Sequence, residues 1–133
     1  MAAHGIPYIA TACISYPTDF VDKLRKAKVM TGTRYLQVLT PCPPGWRFST
    51  EKTVELGRLA VQTGIWPIYE IVNGKFEFSQ PSAALVDKAK RKPVEEYLKH
   101  QGRFDSITPE DIDELKRWID ESWEKYTSLL KRQ

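Results

Sequence analysis

Two apolar runs, PYIATACI at 7–14 and YLQVLT at 35–40, flank one amphipathic stretch, and this spacing restricts the fold more than any other feature of the chain. The first run is apolar at odd and even positions alike, as expected for a strand covered on both faces. Pro17 suits a first helical turn, where its missing N–H would be unpaired in any case. Phe20, Val21, Leu24 and Ala27 then fall on one helical face, with Asp22, Lys23, Arg25 and Lys26 largely away from it. Gly32 suits the stop. Strand, helix and strand make one βαβ unit, so the two strands are expected to be parallel with a right-handed crossover.

After the second strand comes Pro41-Cys42-Pro43-Pro44-Gly45-Trp46. Three prolines remove backbone donors and lock φ, so the segment is expected to be a stiff loop and not a helix. Ser49 or Thr50 is placed to cap a second helix, whose face carries Leu56, Leu59, Ala60 and Thr63 and which Gly64 ends. WPIYEIV and KFEF flank Asn73-Gly74, the pair that best populates a type I′ turn, which predicts a β-hairpin over 66–78. Residues 79–93 read as an extended connector with one helical turn at most, and 94–100 as a short helix. Thr108 and Pro109 then open a long helix with a stripe of Ile112, Leu115, Ile119, Trp123, Tyr126 and Leu130, and with Lys131 and Arg132 at its negative end.

The expected division is an α/β unit over 1–78, including the hairpin, followed by a linker and helical tail over 79–133. Two parallel strands and a hairpin do not make a self-sufficient sheet, because parallel sheets need cover on both faces. The pattern therefore suggests half a domain, or a subunit that completes another chain.

Charge excludes some functions. The chain has 20 basic and 17 acidic residues, a net charge of +3 spread over both signs. No strong nucleic-acid or membrane field follows from this. No run approaches the ~20 apolar residues of a membrane span, and MAAHGIPYIATA lacks the parts of a signal peptide. A cytoplasmic location is expected.

Cys42 is the leading chemical candidate. It lies just past the carboxyl end of a parallel strand, where open α/β sheets bind ligands. Prolines on both sides preorganise the thiol as a metal ligand would require, and Cys-Pro recurs at iron–sulfur ligands. A buried packing cysteine is the other reading. Cys13, among Ile9, Ala10, Ala12 and Ile14, reads as core. There is no CxxC, no glycine-rich phosphate loop, and no constellation around His4 or His100. Lys88, Lys90, Arg91 and Lys92 form a basic cluster, read as a solvated linker before a docking surface for an acidic partner. Trp46, Trp66, Trp118 and Trp123 read as core or interface anchors. No catalytic residue is assigned.

HGIPYIATACISYP, YLQVLTPCPPGW, KTVELGRLAVQTGIWPIYEIVNGKF and RKPVEEYLKHQGRF, in this order and spacing, resemble consecutive blocks of the thiamine-diphosphate-binding beta subunit of pyruvate and related 2-oxoacid:ferredoxin oxidoreductases. PCPPGW and KPVEEYLKHQGRF are the most specific of these. The resemblance implies the C-terminal half of a doubly wound α/β domain with a helical tail. It implies an enzyme that decarboxylates a 2-oxoacid, pyruvate first among them, to an acyl-coenzyme A. Electrons would leave through a four-iron four-sulfur cluster to ferredoxin, with thiamine diphosphate and Mg²⁺ as further cofactors and other subunits as partners. Cys42 matches the family's late cluster cysteine. The Gly-Asp-Gly stretch that binds diphosphate and Mg²⁺, and the other three cluster cysteines, lie upstream in the family and do not occur here. The chain is therefore not expected to be catalytic alone. A separately encoded subunit completing a partner, or a non-enzymatic interaction domain, are the alternatives.

Overall fold

The structure, a computed structural model, describes residues 4–131. Arg132, expected at the end of the last helix, lies outside them. Strand β1 (Tyr8–Cys13) leads into helix α1 (Pro17–Val29) and strand β2 (Arg34–Leu39). A single turn, α2 (Pro43–Trp46), precedes α3 (Thr53–Gln62). The hairpin strands are β3 (Tyr69–Val72) and β4 (Lys75–Phe78). Short helices α4 (Gln80–Ala83) and α5 (Val94–Leu98) then lead to the long α6 (Pro109–Leu130).

The sheet order is β2-β1-β3-β4. β1 and β2 are parallel, with Tyr8 opposite Arg34 and Cys13 opposite Leu39, as the βαβ pattern requires. β3 runs antiparallel to β1 and β4 to β3, so the sheet is mixed. The hairpin turn has positive φ at both Asn73 (49°) and Gly74 (84°), the signature that Asn-Gly adopts most readily.

All six residues of β1 are buried. Alternation sends Tyr8 and Ala10 to one face, against Ala27 and Met30 from α1 and its end. It sends Cys13, Phe76 and Phe78 to the other, against Leu56, Leu59 and Ala60 of α3 and Trp123 of α6. Helices thus cover both faces of the central strand. α6 docks on the hairpin through aromatic rings: Phe78 stacks on Trp123 at 5.0 Å, and Tyr126 lies 5.5 Å from Tyr69. Its N-terminus is the expected one, with Thr108 and Asp111 forming a reciprocal capping box and Pro109 following.

Four local expectations need correction. Pro43-Pro44-Gly45-Trp46 is a helical turn, not a plain loop. Its prolines occupy the first two helical positions, where no N–H is needed, and Trp46 N–H bonds Cys42 O at 2.9 Å. Ser49 and Thr50 make no side-chain cap; a 3₁₀ turn at Thr50–Lys52 leads into α3 instead. The 79–93 connector is coiled, not extended, holding α4 and two 3₁₀ turns at Ala84–Val86 and Lys88–Lys90. In α1 the buried side chains are Lys23 and Ala27, while Val21 and Leu24 are exposed at 40% and 45%. Lys23 turns inward because Thr11 O, just beyond the end of the β1–β3 pairing, accepts its ammonium at 2.8 Å, and Asp19 pairs with it at 2.8 Å.

Candidate functional site: the Cys42 loop

β2 delivers the chain to buried Pro41, and Cys42 follows with an exposed, free thiol. Among the described residues nothing packs over this thiol. Cys42 occupies the position before the first turn of α2, and its side chain makes no capping bond. Gly45 passes directly beneath it: a Cβ at Gly45 would lie 3.2 Å from Cys42 Sγ, crowding whatever the sulfur binds. The prolines leave few backbone donors to tie the turn down. Phe48 N–H reaches back to Pro43 O at 3.1 Å, and Arg47 adopts a left-handed backbone with φ 55°.

The rest of the anchorage comes from a segment far away in sequence. Gly102 N–H donates to Arg47 O at 2.9 Å, and the Arg47 guanidinium donates back to Gly102 O. The Arg103 guanidinium lies over the Trp46 ring at 4.0 Å and over Phe104 at 4.6 Å. Its Nε donates to Gln101 Oε1 at 2.9 Å and its Nη2 to Tyr97 OH at 3.1 Å. The two most specific sequence blocks, PCPPGW and KPVEEYLKHQGRF, therefore meet in space. Both blocks are distinctive in sequence, but their contact is not. Arg47, Gly102 and Arg103 carry no chemical signal of their own, so only tertiary packing reveals them.

Cys13 is fully buried, as expected of a core residue, and its Sγ donates to Gly57 O at 3.5 Å. Burial pushes its thiol pKa up, so it is a poor nucleophile or ligand. His4 is exposed, and His100 lies 3.7 Å from Glu55. The basic cluster is largely internally paired: Lys88 and Arg91 both hold Asp120, and Lys92 approaches Glu96. Trp123 is a core anchor, and Trp66 Nε1 donates to Ala12 O at 2.9 Å. Trp118, by contrast, is exposed at 54%.

A single cysteine sulfur with an open face and a glycine beneath it fits one corner of an iron–sulfur cluster. Among the described residues no three His, Cys, Asp or Glu side chains converge to hold a metal, so any further ligands must come from elsewhere. The sequence holds no glycine-rich diphosphate-binding motif either. No helix of the described residues is long and apolar enough to cross a membrane.

No protein-family model matches the chain. Individual relatives do. Pyruvate synthase subunit PorB of Methanocaldococcus jannaschii is 55% identical over 121 residues, 91% of this chain and 39% of that protein. Ketoisovalerate oxidoreductase subunit VorB of Pyrococcus furiosus is 48% identical over 127 residues, 96% of this chain and 40% of that protein. Pyruvate synthase subunit PorB of Methanothermobacter thermautotrophicus is 50% identical over 120 residues, 90% of this chain and 40% of that protein. The chain thus spans about two-fifths of the length of the curated relatives it matches. The α/β sheet and the exposed cysteine turn sit in a chain related to 2-oxoacid oxidoreductase subunits. More particularly, it is similar to the C-terminal part of the pyruvate synthase and ketoisovalerate oxidoreductase subunits just named.

Proposed function

We propose that this chain forms part of the beta subunit of a cytoplasmic 2-oxoacid:ferredoxin oxidoreductase, and acts only within that assembly. The reaction is decarboxylation of a 2-oxoacid, pyruvate in the first instance, to an acyl-coenzyme A, with electrons passing through an iron–sulfur cluster to ferredoxin. Cys42 supplies one thiolate to that cluster. The exposed Cys42 sulfur above Gly45, in a chain up to 55% identical to a pyruvate synthase subunit, is the observation that carries the reading.

In this proposal residues 1–78 are the C-terminal half of the cofactor-binding domain and 79–133 a tail packed on it. The Gly-Asp-Gly motif that the family resemblance assigns to thiamine diphosphate and Mg²⁺ does not occur in this sequence, and no residue of it is assigned to either. The surface supports a half-domain. β2 has no strand on its far side among the described residues, and its side chains are only half covered. Val21, Leu24 and Val29 expose apolar surface on α1. In this proposal a further strand beside β2 and an element packed on α1 cover both. The alternative of a non-enzymatic interaction domain leaves the open cysteine turn without a purpose.

The test is Cys42→Ala in the complete oxidoreductase. The expected outcome is loss of cluster iron and of the thiolate-to-iron absorbance at about 400 nm, with electron delivery to ferredoxin falling in step. Unchanged absorbance in the variant would remove Cys42 from the ligand set.

A further inference from the structure

We infer that the Gln101–Phe104 turn, with Arg103 at its centre, is a clamp that positions Cys42 for the cluster. This rests on the ligand role proposed for Cys42 and adds a residue to it. Arg103 touches neither substrate nor cluster on the contacts described; it acts through Trp46.

A chain of contacts runs from the core to the sulfur. Tyr97 and Gln101 are 4% and 2% exposed, so their positions are set by the core. Gln101 Nε2 donates to Tyr97 O at 2.7 Å, locking the pair. Both then hold the Arg103 guanidinium, at 3.1 and 2.9 Å. Arg103 is itself on the surface, where an arginine ordinarily faces water, yet its guanidinium lies over the rings of both Trp46 and Phe104. Trp46 N–H in turn bonds Cys42 O at 2.9 Å. A few tenths of an ångström matter at Gly102, because a Cβ there would stand 3.0 Å from Arg47 Cβ and 3.2 Å from Arg47 O. The turn therefore presses on the cysteine loop with glycine-only clearance. Partners one step removed from a metal ligand fix its orientation, and their loss typically lowers metal retention.

A second arginine provides the control. Arg91 lies over Trp123 at 4.4 Å, bonds Leu85 O and pairs with Asp120, a comparable stack remote from Cys42. The experiment compares Arg103→Ala, Arg103→Lys, Gly102→Ala and Arg91→Ala in the assembled oxidoreductase. It reads the rate of iron release to a chelator and the EPR spectrum of the reduced cluster. Arg103→Ala and Gly102→Ala are expected to release iron ~10-fold faster or more and to alter the EPR line shape. Arg103→Lys, which keeps the charge and lacks the guanidinium fork that reaches both Gln101 and Tyr97, is expected to behave like Arg103→Ala. Arg91→Ala is expected to leave both readouts unchanged. Equal effects from Arg91→Ala and Arg103→Ala, or none from Arg103→Ala and Gly102→Ala, would overturn the clamp while leaving the Cys42 assignment intact. A full cluster in Cys42→Ala would overturn the assignment and the clamp together.

Discussion

Lys23 illustrates how a single residue can contradict its helical wheel. A charged residue is expected on the outer face, and desolvation does hold its ammonium below the usual lysine range, with the Asp19 carboxylate opposing that shift. The folded pKa lies below the unfolded one, so the protonated amine costs stability at neutral pH. That cost is relieved as pH rises through the folded value toward 10.5. The position persists because Thr11 O and Asp19 both depend on it. Lys23→Ala is expected to destabilise the fold by about 3 kcal/mol, the low end for breaking a buried pair because Asp19 retains some contact with water. Replacing both partners, Asp19→Leu with Lys23→Met, is expected to recover most of the loss. Denaturant unfolding of the two variants checks both outcomes, and a single variant as stable as the parent would show that Lys23 has no structural role.

At the scale of elements, capping and turn chemistry behave as local rules predict wherever the tertiary environment does not intervene. The α6 start and the Asn73-Gly74 turn are formed by residues adjacent in sequence, and both appear as read. Thr108→Ala is expected to cost about 1 kcal/mol, the usual worth of a side-chain N-cap. α6 carries Trp123 and Tyr126 into the hairpin, so its fraying should also be seen as loss of near-ultraviolet circular dichroism from that aromatic cluster. Thermal melts followed at that wavelength would measure it. The α1 face and the α2 turn depart from their sequence pattern for related reasons. In α1 a backbone carbonyl on a neighbouring strand selects which side chain turns inward. In α2 the prolines that exclude a helix interior are acceptable in a first turn, and periodicity carries no information over four residues.

On the scale of the whole molecule, burial of tyrosines dominates the alkaline response. Burial raises the pKa of Tyr8, Tyr16, Tyr97 and Tyr126, and pushes Tyr69 up to about 12. These phenols ionise in the unfolded chain near 10 but later in the folded one. The folded state then binds more protons, and stability falls as pH climbs above 10. Cys13, raised above 9.0 by burial, acts in the same direction. Lys23 acts in the opposite one but is a single group. Alkaline unfolding is therefore expected, with phenolate absorbance rising together with loss of helix signal. Full tyrosine ionisation before any loss of structure would contradict these burials. The same scale shows why the fold is legible only in part: the mixed order of the sheet and the exposure of Val21 and Leu24 are set by which elements meet in space, not by neighbours along the chain.

Periodicity and turn chemistry by themselves determined the βαβ unit, the hairpin, the long capped helix and the burial of Cys13, because each depends on neighbours within a few residues along the chain. They also singled out Cys42, since its flanking prolines are a local constraint on a reactive side chain. Tertiary structure alone decided that Lys23 would be buried, that Cys42 would be exposed above Gly45, and that Arg103 would lie on Trp46. Those outcomes depend on contacts between segments up to tens of residues apart, where an unpaired carbonyl or an open ring face determines which side chain can approach. No sequence periodicity records such a pairing.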